Sequence, residues 1–599
     1  MINNYEILTG ISDFRKLVSS DGLTVDPNRL FIDKSLFIKD FIDSSGDVLL
    51  ITRPRRWGKS SMLSMLQHFF SKEVEGKPTK DLFNNLKITE FLNNSRYSKY
   101  QGVHPVILVS FKELKGDSFE SIEQKIKGIL AKLYAKYDYI LKALRDQDPK
   151  FYHDKETYKI SIDKFIRIMR KKADNDDLTD SLRFLSELLT TYHNKRTFIL
   201  IDEYDNAINN AFNKSEILEK LTTFFSNLFG ACLKENEANL EKGLVTGILR
   251  VAKANIFSGL NNLEEYTVLD PEFNEYYGFT EVEVNGLLER VNIKNKQEIK
   301  VWYNGYIMVG GNTLYNPWSI MRCIGRNGVL DKYWAESGNP QIIEDLLINK
   351  SSMKDKQKIR DLIKYKETIL ETDLKKQVSF DDLQYQSHIL WSLLIHTGYL
   401  TLVKENDKRQ VKLPNQEVIL LIKDYVDNWF VGKPFLSKTA NSLLAGDFVK
   451  FEEAMKEVFG DPAYSARIFS GGGRSANMPE IEKTKEFVYQ FLIMTELRCV
   501  NLVGDSEYEV FAEIEDVSSG KTRPDVLVLN HKQKLCIVVE IKSSIKANEN
   551  LKKLAEIGLA QIDQNQYGRK YEENSYQILK LGIAFKGDNF ELAYEGKEY

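Results

Sequence analysis

The chain has 599 residues, enough for roughly three or four domains that each bury a core, and its 83 Lys and Arg against 86 Asp and Glu leave a formal net charge of -3. That balance excludes a polyanion-binding surface made from net charge alone, so any nucleic-acid groove has to come from local Lys and Arg clusters. Four scattered cysteines, Cys232, Cys323, Cys499 and Cys536, exclude a disulfide framework or zinc site; with neither a basic-then-apolar leader nor a run of bilayer-spanning length, a cytoplasmic protein is expected.

Residues 47–52, DVLLIT, form an apolar run that leads into RPRRWGKSS and then into the helical MLSMLQHFF. Strand, loop and helix in that order are the context of a phosphate-binding loop. Its expected nucleotide-binding residues are Arg53, Pro54, Arg55, Arg56, Trp57, Gly58, Lys59, Ser60 and Ser61. Lys59 would reach the β- and γ-phosphates, Ser60 would hold Mg²⁺, and backbone N–H groups at the helix start would cradle the anion. Arg53 occupies the position of the first glycine of G-x-x-x-x-G-K-[ST], and a bulky residue there restricts the backbone.

From about 116 to 190 the sequence turns charged and helical, with Ile122, Ile126, Leu130, Leu133 and Tyr137 recurring every three to four positions. This stretch is read as a helical insertion packed on one side. The strand RTFILIDEYDNAI comes next and ends in Asp202 and Glu203, the place for a Mg²⁺-coordinating Asp and a water-polarising Glu. LVTGIL then offers Thr246 and Arg250 as sensors of the γ-phosphate, or as ordinary polar residues at a strand end.

Residues 1–290 are therefore expected to form a P-loop α/β/α domain, and residues 291–440 a helical lid leading to a winged-helix-like unit, with the aromatic turns WYNGY and YNPWS packed in its core. Residues 441–480 read as a helical linker. Its SGGGRSANMPE has no strand before it and no Gly-Lys-Ser after it, so it is read as flexible chain and not as a second phosphate loop.

Residues 481–599 are expected to be a separate α/β domain. DVLVL and KLCIVVEIK are short, β-branched runs on either side of the polar turn NHKQK, the pattern of a hairpin. Alternation along a strand puts Glu540 and Lys542 on one face, with Asp525 across from them. Two carboxylates, Asp525 and Glu540, suit Mg²⁺ or Mn²⁺, and a neighbouring ammonium helps to orient or activate a bound water. Phosphodiester hydrolysis is the reaction class this implies, and Lys521, Arg523 and the lysines of KSSIKANENLKK are local cations for a nucleic-acid groove.

This C-terminal segment resembles the PD-(D/E)xK nuclease superfamily, in the branch found behind AAA-ATPase-like domains of bacterial proteins. The resemblance implies a restriction-endonuclease-like fold and adds Glu486 in EFVYQFL and Gln561 in LAQIDQNQY to the catalytic set of Asp525, Glu540 and Lys542. It also adds Glu513 in FAEIED as a further ligand and Tyr567 in the Gln-Ile-x-x-x-x-Tyr helix, while Thr522 stands where that branch has Gly. FIDKSLFIKDFI, LLITRPRRWGKSSML, FILIDEYDNAI, LVTGILRVAKANIFSGLNNL, WYNGYIM and LYNPWSI in turn resemble the ordered blocks of the AAA-ATPase-like family, in which Arg at the first-glycine position is usual. Together these resemblances imply an ATPase-like domain fused to a restriction-endonuclease-like domain; the leading expectation is a nuclease that uses Mg²⁺ or Mn²⁺ and acts on nucleic acid, DNA before RNA, coupled to an ATP-binding module carrying Asp202 and Ser60 as metal ligands and Glu203 as the water-polarising acid. AAA-type modules often assemble into rings, so a homo-oligomer is one expectation. Two other readings stay open: a nucleotide-regulated sensor whose nuclease-like end only binds, and an ATP-driven motor on nucleic acid.

Overall fold

The computed structural model describes residues 5–211, 214–250, 256–257, 260–309, 313–334, 355, 358–359, 362–363, 367–370, 373–376, 387–404, 407–430, 435–459, 508–512, 524–544, 549–586 and 589–596. The chain divides into two compact units, Met1–Tyr425 and Val426–Tyr599. Among the described residues no helix is long and apolar enough to cross a membrane.

The first unit is built on five parallel strands, β1 (Val48–Thr52), β2 (Val106–Ser110), β3 (Thr197–Asp202), β4 (Leu240–Gly247) and β5 (Leu263–Tyr266), in the order β2-β3-β4-β1-β5. Every residue of β1 and β3 is buried, as expected for a parallel sheet covered on both faces. Helix α1 (Lys59–Phe70) comes shortly after β1, and its cap Gly58 has φ 82° with nothing within 4 Å of where a Cβ would stand. Glycine is required there by the left-handed backbone and not by crowding.

Helices Phe119–Ala135, Asp138–Arg145, Lys155–Met169 and Asn175–His193 lie between β2 and β3. Ile122, Ile126, Leu130 and Leu133 are buried along the first of them. Tyr137 lies beyond that helix, and its hydroxyl donates to the Val106 carbonyl at 2.6 Å, so it pins the insertion to β2 instead of extending the helical stripe. Two small antiparallel sheets come after the parallel one: one of Phe279–Thr280, Tyr306–Ile307 and Thr313–Tyr315, the other of Glu367–Ile369, Thr401–Leu402 and Gln410–Lys412. Between these sheets runs helix α2 (Pro317–Gly325), started by Asn316, whose side chain accepts from Trp318 and Ser319 N–H.

The second unit carries strands β6 (Tyr508–Ala512), β7 (Val526–Asn530), β8 (Leu535–Ser543), β9 (Gln577–Lys586) and β10 (Asn589–Glu595), hydrogen-bonded in that order. Only β8 and β9 run parallel. Helix α5 (Leu551–Gln564) covers one face, where Ile562 packs with Leu527, Leu529, Cys536 and Val538. The opposite face is covered by α3 (Phe435–Leu444) and α4 (Phe448–Phe459), whose Leu443, Leu444, Phe448, Phe451 and Met455 form one core with Val526, Val528, Ile537, Val539 and Ile541. The start of the expected linker, residues 441–459, is therefore an integral layer of the C-terminal unit. Its apolar spacing closes a sheet face that would otherwise meet water. The glycine-rich segment 470–480 lies outside the described residues.

Candidate functional site

The hairpin register brings two carboxylates together. Val526 pairs with Val539 and Leu527 with Val538, so the residue before β7, Asp525, stands across from Glu540. Both share the α5 face with Lys542, because side chains alternate along the strand. Asp525 Oδ2 accepts the Ile541 N–H at 2.6 Å, and Lys542 Nζ lies 3.2 Å from Glu540 Oε2.

Burial of Glu540 comes from two glycines. Glu540 pairs with Gly582 on β9, where a Cβ would fall 2.2 Å from the Ala555 carbonyl oxygen of α5. A Cβ on Gly558 would meet Glu540 Cβ at 3.6 Å. The helix thus sits close on the sheet at this point and leaves Glu540 only 2% exposed. Burial first, and then the charge of Asp525, push its carboxyl up to about 8; burial also raises Asp525. Glu540 Oε1 is buried without a hydrogen-bond partner. Two acceptors at such close quarters are satisfied by sharing a proton or by taking up a cation. This all-oxygen pair fits a hard divalent ion.

Among the described residues no group of three or more His, Cys, Asp and Glu is placed to hold a metal ion, so at this site the described acids are the pair Asp525 and Glu540. Gln561 is half-buried on α5, one turn after Gly558. Tyr567 packs against the Leu527–Val538 cluster, a role in the core. Glu486, Glu513, Lys521, Thr522 and Arg523 lie outside the described residues.

The Glu540 carboxyl has a consequence for pH. In the metal-free fold it keeps its proton up to about pH 8, whereas in the unfolded chain it ionises at its ordinary 4.5. Stability therefore falls as pH rises through that window and levels off above it. A divalent ion that replaces the proton relieves the loss. Protection of the β8 amides against hydrogen exchange should gain more from Mn²⁺ at about pH 9 than at about pH 6, and Glu540→Gln should remove the difference.

In the first unit the loop between β1 and α1 meets the ends of β3 and β4. Ser60 Oγ donates to Asp202 Oδ2 at 2.6 Å, and Thr246 Oγ1 donates to Asp202 Oδ1 at 2.8 Å. Lys59 is buried and donates to the carbonyls of Arg53 at 2.9 Å and Pro54 at 2.8 Å; burial lowers its pKa. Glu203 adopts φ 52°, and burial, then the Asp202 charge, raise its carboxyl. A cavity of about 640 Å³ opens at this point, lined by Arg55 through Ser61 and by Glu203.

Two loop residues expected to touch nucleotide are turned elsewhere. The Arg53 side chain is fully buried, with Nη1 donating to the carbonyls of Thr52 and Tyr266 at 2.8 and 3.1 Å. Its Nη2 donates to the Glu272 carbonyl and Asn274 Oδ1 at 3.1 and 2.9 Å. Pro54 packs against Gly398. Neither lines the cavity. Arg53 is also absent from the left-handed positions, which in this loop are Arg56 (φ 65°) and Gly58, so its bulk costs the backbone nothing. Trp57 borders the cavity but buries its ring edge-on to Tyr306, with 4.9 Å between centroids. Arg250 is bound to Glu265 at 2.7 Å and does not line the cavity.

Asp205 is a further residue of this region, one that no sequence motif singles out. It is buried and accepts from the N–H groups of Ile248 and Leu249 at 2.9 and 2.8 Å and from Asn209 Nδ2 at 3.0 Å, tying the end of β3 to the turn after β4. Its one sequence signal is an acid two residues past Glu203, which also reads as a turn.

Residues 8–257 match the family described as predicted AAA-ATPase, and residues 485–595 match the PD-(D/E)XK nuclease superfamily. An uncharacterized protein in the vnfD 5' region of Azotobacter chroococcum mcd 1 is 25% identical over 419 residues, 68% of this chain and 67% of that protein. A Walker-type ATPase of Pyrococcus abyssi aligns structurally with a TM-score of 0.33 at 12% identity, covering 67% of this chain and 98% of the other.

Proposed function

We propose that this chain, an AAA-ATPase-like domain joined to a PD-(D/E)XK nuclease superfamily domain, is a nuclease that depends on Mg²⁺ or Mn²⁺ and hydrolyses phosphodiester bonds, with DNA preferred, under the control of an ATP-binding module. The observation that carries the reading is the buried Asp525–Glu540 pair, with Lys542 3.2 Å from Glu540 and Glu540 Oε1 buried without a hydrogen bond. Two neighbouring acids are costly in an apolar sheet unless a proton or a cation satisfies them.

Asp525 and Glu540 would hold the ion, which when bound neutralises phosphate charge and lowers the pKa of a water. Asp525 is oriented for this by the Ile541 N–H, which fixes one of its oxygens. Lys542 sits at the rim of the pair and places its ammonium where it can orient the attacking water. Gln561, Glu486 and Glu513 complete the proposed set, and the exposed Lys552 and Lys553 at the start of α5 supply cations for the backbone of a nucleic acid.

In the N-terminal module Lys59 and the N–H groups at the start of α1 would bind the β- and γ-phosphates, Ser60 and Asp202 would hold Mg²⁺, and Glu203 would polarise water. Lys59 now donates to two loop carbonyls, so nucleotide binding has to draw it out of that arrangement. Single- and double-stranded DNA and RNA incubated with the full chain test the proposal. Cleavage should need Mg²⁺ or Mn²⁺, stop with EDTA, and change when ATP is added to wild type but not to Lys59→Ala. Stoichiometric binding of nucleic acid without turnover under every metal would instead leave a binding module.

A further inference from the structure

The cavity at the phosphate loop is larger than the phosphate site needs, and its lining is of two kinds. Arg55, Lys59 and Ser60 form its polar pole at the loop. Ile11 from the N-terminal segment and Pro317, Trp318 and Met321 of α2 line it as well and form what is here its apolar pole. A volume of about 640 Å³ is in the range of pockets that enclose a whole small ligand.

The apolar pole is built around one fixed ring. Trp318 Nε1 donates to the Tyr333 carbonyl at 3.0 Å, which locks the plane of the indole. Gly10 passes so close that a Cβ there would lie 3.5 Å from Trp318 Cζ3, and its φ of 78° lets the N-terminal segment turn along the ring. From the phosphate loop, Arg56 lays its guanidinium over the indole, 4.2 Å from the ring centre. Arg56 holds this place on a left-handed backbone, uncommon for a residue other than glycine. One residue of the loop is thereby joined to the apolar wall by a flat cationic and aromatic plate.

Resting on the nucleotide-binding reading of the loop, we infer that the apolar pole is a base subsite: the pocket takes a nucleoside triphosphate whole, phosphates on Gly58–Ser60 and base against the Arg56–Trp318 plate beside Ile11. A flat π-system is what such a plate binds, and the locked indole loses no rotamer freedom in binding it. A bare polyphosphate would fill only the polar pole.

Equilibrium binding of ATP and of inorganic tripolyphosphate to the full chain separates the two halves of this claim. Trp318→Ala is expected to weaken ATP by at least about tenfold and leave tripolyphosphate unchanged, while Trp318→Phe keeps most of the ATP affinity. Because Trp318 also packs in the core around α2, the exposed Ile11 provides a second variant: Ile11→Asn should weaken ATP by several fold and spare tripolyphosphate. Equal affinity of wild type for the two ligands, or equal losses for both in Trp318→Ala and Ile11→Asn, would overturn the base subsite while the phosphate loop stands. Failure of wild type to bind either ligand, or binding indifferent to Lys59→Ala, would overturn the loop reading itself.

Discussion

Replacing Glu540 by Gln is expected to reduce cleavage of nucleic acid by about 10³-fold or more while leaving the domain folded. The change removes a formal charge and keeps the shape, so the close approach of α5, through Gly558, to Gly582 of β9 is preserved. In the metal-free protein the amide should be neutral to stabilising above about pH 8, because the buried carboxylate it replaces is costly once ionised. Loss of activity together with an equal or higher melting temperature is therefore the signature of a ligand residue. Asp525→Asn should behave alike in activity, and Lys542→Ala should lose about 10²-fold by removing the ammonium at the edge of the pair. Full activity in Glu540→Gln would mean that the pair is structural.

Restoring glycine at position 53 is expected to damage the protein, although it completes the G-x-x-x-x-G-K-[ST] pattern. Arg53 makes four hydrogen bonds through its fork, and its guanidinium lies 5.4 Å from the ring centre of Tyr277. Asn274, which it holds, donates in turn to the carbonyls of Asp270 and Val309. Arg53→Gly would leave carbonyls of Thr52, Tyr266 and Glu272 without this donor in the interior and open a cavity the size of the side chain. The expected cost is about 3–5 kcal/mol, read as a lower melting temperature of the first unit. Arg53→Lys should recover little, since a point charge does not span acceptors placed for a planar fork. A gain in nucleotide affinity with unchanged stability in Arg53→Gly would show that the side chain is dispensable and the position is a defective phosphate-loop glycine.

The features legible in the sequence were local ones. The turn NHKQK fixes the register of β7 against β8, and that register alone sets Asp525 opposite Glu540. Gly58, Lys59, Ser60 and Asp202 are legible because strand, loop and helix succeed one another in the chain, and the Ser60–Asp202 contact joins the start of α1 to the end of β3. Arg53 was not legible as a clamp, because its acceptors Tyr266, Glu272 and Asn274 lie more than two hundred residues further on. Asp205 depends in the same way on N–H groups of Ile248 and Leu249. The docking of α3 and α4 is not legible beside the glycine-rich stretch that comes after them, although Leu444, Phe448, Phe451 and Met455 carry a helical apolar spacing. Gly558, an isolated glycine in a helical pattern, did carry a usable signal, since such a residue marks a close approach.

Density for one ion decides the central claim most directly. Crystals of the full chain soaked in Mn²⁺ and measured at the manganese absorption edge should show an anomalous peak within coordination distance of the Asp525 and Glu540 carboxylates, absent in Glu540→Gln. Wild-type crystals without such a peak, with Glu540 still protonated against Asp525 at saturating Mn²⁺, would contradict the account.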